Sequence, residues 1–381
     1  MLGCDELESK SRSLAIITIL LSLGCCLGAA ELALRFLPVY SGLRIENTTK
    51  ESPVFRAAPN REYSYSSGCC FALANKGRVN NEGFVNDQDY IKEGIRPLVA
   101  VVGDSYIESL MVPFEDTLHA RLAKHLEDSG RVYSFAFSGA PLSQYLVWAD
   151  YARNTFKPDA FIFNVVGNDF DESLYKYKNA EGFHYFRESG TGLTLELVEF
   201  RVSWLGRAVR SSALLQYLVN NLNAHVTISA VVGKVLGAVG AAEANATRDS
   251  AEFVGNTRAF ANNERVTDSL EALDTFLAAL PQVTGVASEK VLFVVDGVRQ
   301  RIYGKISREQ AERSYFGIMR KALIERAKNK GYSVLDLETV FEQEYDKEKK
   351  KFEFENDFHW SGYGHEVVSE AILKSDWLRK L

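Results

Sequence analysis

From residue 98 onward the chain alternates short apolar runs with amphipathic stretches, and this rhythm constrains its fold more than any other feature. The runs are Leu98–Val102, Val132–Phe137, Ala160–Val166, Val291–Val295 and Tyr332–Leu335. Each has strand length and a high content of β-branched or aromatic residues. Helical spacing follows the first run, with Leu118, Leu122 and Leu126 on one face, and follows the second across 143–155. A charged helical stretch across 307–330 precedes the fifth run, and Val367, Val368, Ala371 and Ile372 mark a last helix. Continuous apolar strands separated by helices predict an α/β fold, with a mainly parallel sheet covered on both faces in a three-layer α/β/α sandwich. The stretch 204–285 breaks the rhythm and reads as a helical insertion. Its Ala/Gly/Val-rich part at 226–246 contains Lys234 and several glycines, which argue against a second membrane span.

Ahead of this body, Ser13–Ala30 is a run of 18 residues without a charge. That is the lower limit for a helix crossing a hydrocarbon core of about 30 Å. Leu32, Ala33 and Leu34 extend it past Glu31, and Arg35 marks a boundary. A cleaved signal peptide ending at Gly28-Ala29-Ala30 is the rival reading. The run is longer than the usual signal core, which favours a retained anchor. The expected organisation is a cytoplasmic tip and membrane anchor over 1–37, a polar stalk and N-terminal extension over 38–95, and the body over 96–381. The body is expected on the extracytoplasmic side of a single-pass chain.

Composition narrows the function classes. The 381 residues are 46% hydrophobic and 25% charged with a net charge of −6, which excludes a disordered chain and gives no general attraction to nucleic acid. Five cysteines without a C-x-x-C pattern make no disulfide framework. The adjacent Cys69 and Cys70 could bridge only with strain, or stand as two small buried thiols. No phosphate-binding loop, Gly-x-Gly-x-x-Gly or His-Glu-x-x-His pattern is present, so no cofactor and no metal are expected. The missing Gly-x-Ser-x-Gly elbow disfavours a typical α/β-hydrolase.

In open α/β sheets, sites form where strands end at their carboxyl edge. After the first run comes Gly103-Asp104-Ser105, after the second Ser138-Gly139-Ala140, and after the third Gly167-Asn168-Asp169. Just before the last helix stands Asn356-Asp357-Phe358-His359-Trp360. A serine hydroxyl becomes a nucleophile only beside a base that a third group orients. Among six histidines, His359 has an aspartate, Asp357, two residues away in a loop that can face the same crevice. His119, His125, His184 and His225 read as packing or surface residues, and His365 as a weaker site candidate.

Taken together and in order, these four segments resemble the SGNH (GDSL-type) hydrolase superfamily, whose signature Ser, Gly, Asn and His would here be Ser105, Gly139, Asn168 and His359. The resemblance covers about residues 80–375. Asn81-Glu82-Gly83-Phe84, Val112-Pro113-Phe114-Glu115-Asp116-Thr117 and Glu31-Leu32-Ala33-Leu34-Arg35 are similar to segments of its membrane-anchored members. Asp357-Phe358-His359-Trp360 with Gly364-His365 resembles a block found in envelope-polysaccharide members, acetyltransferases included. Two departures stand out. Asp357 lies two residues before His359 instead of three, where this chain has Asn356, and Gly167 directly precedes Asn168.

The resemblance implies catalysis by Ser105, His359 and Asp357. It also implies an oxyanion hole from the Ser105 and Gly139 backbone N–H groups and the Asn168 side-chain amide. It implies a serine esterase acting on acyl esters, acetyl above all, of an extracytoplasmic glycan or other envelope ester. An O-acetyltransferase using the same site, working with envelope polysaccharide machinery, is the second reading. A catalytically inactive envelope scaffold is the third.

Overall fold

A computed structural model of the chain describes residues 2–190, 192–203, 206, 210–222, 252–355 and 357–381. His225, the 226–246 segment and Asn356 lie outside the described residues. Five strands, β1 (Leu98–Gly103), β2 (Arg131–Ala136), β3 (Ala160–Val165), β4 (Val291–Val295) and β5 (Ser333–Asp336), form one sheet in the spatial order β2-β1-β3-β4-β5. Every neighbouring pair is parallel. All five apolar runs are therefore strands of the expected sheet. Every residue of β1, β3 and β4 is buried, as strands covered on both faces must be.

The helices used below are α1 (Leu2–Leu34), α2 (Ser105–Glu108), α3 (Leu118–Leu126), α4 (Leu142–Phe156), α5 (Asn263–Thr284), α6 (Tyr315–Asn329), α7 (Leu337–Glu348) and α8 (Gly362–Leu373). On one face of the sheet Val99, Val101, Ile162 and Val294 pack with Leu118 and Leu122 of α3, Phe341 of α7 and Val368 of α8. On the other face α4, α5 and α6 form the second layer. There Phe276 of α5 meets Phe163 and Phe293 edge-on, at 5.9 and 6.3 Å between ring centres. The C-terminal part of the stretch 204–285 is thus itself a member of this layer.

The charged stretch 307–330 is not one helix. It breaks at Ser314, whose backbone is extended (ψ 154°) and whose side-chain hydroxyl caps α6 by accepting the Gly317 N–H. The reason is local. A Cβ at Gly317 would stand 2.0 Å from the Ala311 carbonyl oxygen, so the two helical pieces meet closer than a straight helix allows.

Residues 43–62 and 76–202 belong to the same compact unit as the sheet. Phe84 packs edge-on against Phe135 at 5.0 Å and Tyr90 stacks on Tyr133 at 3.9 Å, so the second part of the N-terminal extension builds core.

A second, smaller unit contains α1, the tip of the hairpin Arg61–Ser67/Leu73–Val79 and described residues between 203 and 222. Within α1, Ser11–Leu34 (24 residues) is long and apolar enough to cross a membrane, with mean hydropathy 2.2 over an 18-residue window of which none is buried. Near its end Glu31 accepts the Ser212 hydroxyl at 2.8 Å and the N–H groups of Ala213 (3.1 Å) and Leu214 (2.8 Å), capping the turn Ala213–Gln216. Cys69 and Cys70 are exposed free thiols with sulfurs 3.2 Å apart. They sit on a hairpin turn, which leaves nothing to cover them, so neither a bridge nor a buried pair is found.

Candidate active site

The strand order reverses between β1 and β3. The connection from β1 steps to β2 on one side, and the next crosses back over β1 to β3. A crevice opens at the carboxyl ends of the two strands that flank such a switch point. Gly103-Asp104-Ser105 ends β1 and Gly167-Asn168-Asp169 ends β3, so the topology brings two of the four segments to that crevice.

The β1 end is built for a tight turn. A Cβ at Gly103 would lie 2.4 Å from Ile107 Cγ1, so only glycine lets the chain enter α2 directly. Asp104 caps that helix by accepting the Tyr106 N–H at 2.9 Å. Ser105 follows as its first residue, 8% exposed. Its Oγ lies 2.7 Å from His359 Nε2 and 3.3 Å from Asp104 Oδ2. The shorter contact directs the hydroxyl proton to the imidazole. His359 Nδ1 is bonded to Asp357 Oδ1, which also accepts the His359 backbone N–H at 3.0 Å. That second bond is what a two-residue separation provides: the carboxylate folds back on the backbone of the histidine that it orients. With Nδ1 carrying the hydrogen, Nε2 is the acceptor facing Ser105.

The other two segments are joined to this centre through charged side chains. Gly139 has φ +77°, a left-handed conformation that favours glycine. The residue before it is clamped by Glu108, which accepts both the N–H of Ser138, at 3.0 Å, and its hydroxyl. Beyond it, Lys178 Nζ donates to the Gly139 carbonyl at 2.8 Å and pairs with Glu172. Glu172 in turn accepts from Asn168 Nδ2 at 3.1 Å. One chain of contacts thus runs from the serine helix through the Gly139 turn to Asn168. At the β3 end, a Cβ at Gly167 would stand 2.0 Å from the Gly255 carbonyl oxygen. The glycine immediately before Asn168 is required because the hairpin Phe253–Val254/Thr257–Arg258 packs on this turn.

Burial sets the charge states. Desolvation pushes the Asp104 carboxyl up to about 6, against the pull of the Tyr106 N–H. It pushes Glu108 up to about 7, against its bonds from Ser138. Asp169 is fully buried, accepts the Val166 N–H at 2.8 Å and is raised well above the usual carboxylate range by burial and then by Asp104. It braces the turn beneath Asn168.

The remaining described histidines lie elsewhere. His365 is fully buried; Nδ1 accepts the Leu118 N–H at 3.1 Å, and Nε2 meets Ser109 Oγ at 3.0 Å. Burial lowers its pKa to about 3, so it is a neutral tie between α8 and α3. His119 is likewise buried and lowered to about 3, and His184 to about 4. His125 is exposed on α3. Among the described residues no group of three or more His, Cys, Asp or Glu is placed to hold a metal ion.

Sequence reasoning missed Glu108, Glu172, Lys178, Asn256 and Arg299. Two carried a signal. Glu108 is the lone charge within Tyr106–Val112, and Arg299 follows Asp296-Gly297 at the end of β4, a strand end of the same kind as those that were read.

No protein-family profile matches the chain, and no curated protein does. Solved structures align over about three quarters of it. A lipase from a goat rumen metagenome is 13% identical, with 74% of this chain and 98% of that chain covered at a TM-score of 0.40. A lipase/acylhydrolase from Enterococcus faecalis is 13% identical over 74% and 97%, at 0.37. A member of the lipolytic G-D-S-L family from Veillonella parvula is 10% identical over 73% and 97%, at 0.36. The functional reading rests on the side-chain geometry, not on these likenesses.

Proposed function

We propose that the protein is a serine ester hydrolase of the SGNH type, held at a membrane by α1 with its body on the extracytoplasmic side. The observation that carries the reading is the line Ser105 Oγ, His359 Nε2, His359 Nδ1, Asp357 Oδ1, closed by a 2.7 Å contact at the serine.

In the first half-reaction the Ser105 oxygen bonds to the ester carbonyl carbon while its proton passes to His359 Nε2. Asp357 stabilises the imidazolium without taking that proton. The negative charge on the carbonyl oxygen is met by N–H donors of Ser105, Gly139 and Asn168, and a donor of this kind is worth about 3 kcal/mol in the transition state. The carbon–oxygen bond to the leaving alcohol then breaks, with the alcohol taking the proton from His359 and the acyl group remaining on Ser105. Water attacks the acyl-serine by the same steps in reverse roles, releasing the acid and restoring the hydroxyl.

An acetyl ester on an envelope glycan is the substrate class we favour. The Asp357–Trp360 block, similar to envelope-polysaccharide members, and the Glu31–Arg35 segment at the end of the apolar helix, similar to membrane-anchored members, support it.

The test is turnover of p-nitrophenyl acetate by the full chain in detergent, beside Ser105→Ala. Saturable release that the substitution abolishes supports the reading. Folded protein that neither releases p-nitrophenol above the variant nor gains an acetyl mass contradicts it. An acetyl-serine that forms but waits for a sugar hydroxyl would replace hydrolysis by transfer.

A further inference from the structure

Behind the Ser105–His359 contact lies a buried ionic cluster that the proposed reaction does not use. Arg299 opens the one-turn helix Arg299–Ile302 after β4 and is 4% exposed. Its Nη2 donates to the Phe358 carbonyl at 2.8 Å and to the Tyr106 hydroxyl at 2.8 Å. The Tyr106 hydroxyl itself donates to the same Phe358 carbonyl at 2.8 Å. Burial pushes the Tyr106 phenol well above its ordinary range, so it keeps the proton that it donates.

The placement of these partners matters. Tyr106 is the residue after Ser105, and Phe358 is the residue before His359. The triangle therefore joins the backbone that carries the nucleophile to the backbone that carries its base. Without it, α2 and the strand β6 (Asp357–Trp360) would meet at this point through the Ser105–His359 bond itself and through ring contacts. The Tyr106 ring lies 4.9 Å from the His359 ring and 5.2 Å from that of Trp360.

The guanidinium is held from behind. Nη1 donates to Glu353 at 2.9 Å and Nη2 approaches Asp296 at 3.3 Å. Glu353 also accepts the Tyr303 hydroxyl at 2.6 Å, and Asp296 accepts the Trp360 indole N–H at 3.3 Å. Glu353 pairs with Trp360 across the short antiparallel ribbon that ends in His359's strand. Each carboxylate thus binds both the arginine and an element next to the histidine. A planar guanidinium holds five donors in a fixed fork, against three on a rotating ammonium, and so fixes partners on several sides in one geometry.

We propose that Arg299 is a positioning residue of this active site, setting the distance between Ser105 and His359 through Tyr106 and the Phe358 carbonyl. The inference rests on the assignment of those two residues as nucleophile and base. It gives Arg299 no contact with substrate. Displacing a catalytic pair by about 1 Å can cost on the order of 100-fold in rate.

The test compares full-length wild type, Arg299→Lys and Tyr106→Phe by kcat and KM on p-nitrophenyl acetate and by the low-field proton resonance of His359 Nδ1 shared with Asp357. The lysine variant keeps the charge that balances Asp296 and Glu353, so the fold is expected to survive. Tyr106→Phe keeps the ring and removes two bonds, the one donated to Phe358 and the one accepted from Arg299. The expected result is a kcat about 10- to 100-fold lower for Arg299→Lys, about 3- to 10-fold lower for Tyr106→Phe, with KM within about twofold for both. The His359 resonance should broaden or move in both variants. Unchanged kcat with an unchanged resonance in a folded Arg299→Lys protein would overturn the proposal, as would a loss confined to KM. A wild type without turnover would count against the esterase reading. Its His359 resonance, disturbed or undisturbed by Arg299→Lys, would still decide the role of Arg299.

Discussion

Asn256 donates its side-chain amide to the carboxamide oxygen of Asn168 at 2.8 Å. This bond fixes which end of the Asn168 amide is which. With Oδ1 accepting from Asn256 and Nδ2 donating to Glu172, the nitrogen has one further hydrogen to offer. Asn256 reaches this position from a left-handed backbone, φ +67°, at the hairpin turn that packs on Gly167. The asparagine that sequence reading picked out is therefore oriented by one that it did not.

The pair should separate by magnitude. Asn168→Ala removes the donor itself and is expected to lower kcat by about 100- to 1,000-fold. Asn256→Ala only frees the amide to turn, and a loss of about 3- to 10-fold is expected, with KM little changed. Steady-state kinetics on p-nitrophenyl acetate checks both, and equal losses would remove the distinction.

Asp357 and Asn356 compete for the orienting role by position alone. Asp357→Asn leaves a side chain of the same shape that favours the wrong imidazole tautomer, so kcat should fall by about 1,000-fold or more. Asn356→Ala should stay within about threefold of wild type. The reverse order in a kcat comparison would return the role to Asn356.

Gly139→Ala should injure activity more than stability. The left-handed backbone penalises any Cβ by about 1–2 kcal/mol, and the new methyl would stand 3.2 Å from Lys178 Nζ. Lys178 is the side chain that holds the Gly139 carbonyl, so the turn is expected to shift. We expect a kcat loss of at least 10-fold beside a fall in melting temperature of a few degrees. A large melting shift with full activity would show that the turn does not serve the reaction.

Glu108 makes a pH prediction. Its folded-state value of about 7 lies above the ordinary 4.5, and burial is the cause. A carboxyl raised in this way leaves the fold fully stable below the ordinary value and costs stability as pH rises through the folded one. At about 1.4 kcal/mol per unit the penalty is at most about 3–4 kcal/mol above pH 7. Glu108→Gln keeps an acceptor for Ser138 and never ionises. It should melt higher than wild type at pH 8 and close to it at pH 4.5, read by thermal denaturation across that window. A wild-type advantage that grows with pH would contradict this.

The sheet was legible because its strands are buried on both faces, which demands uninterrupted apolar runs such as Ala160–Val165. The site segments were legible because each is a strand-end turn or precedes a helix. Glu108, Lys178, Asn256 and Arg299 act through partners distant in sequence, such as Glu353 for Arg299, and a local pattern does not show a pairing made by topology. Glu172 meets Asn168 and Lys178 four and six residues away, in a loop with no periodicity to mark it. The break at Ser314 escaped for a related reason. A helical pattern records which residues face the core, and the close approach that Gly317 permits is visible only in three dimensions.

Labelling of the full-length protein with a fluorophosphonate probe, followed by intact mass and peptide mapping, tests whether Ser105 is a nucleophile activated by His359. A single adduct is expected, on Ser105, formed at least 100-fold more slowly in His359→Ala and absent in Ser105→Ala. A folded protein that stays unlabelled, or labels at another serine, would contradict it.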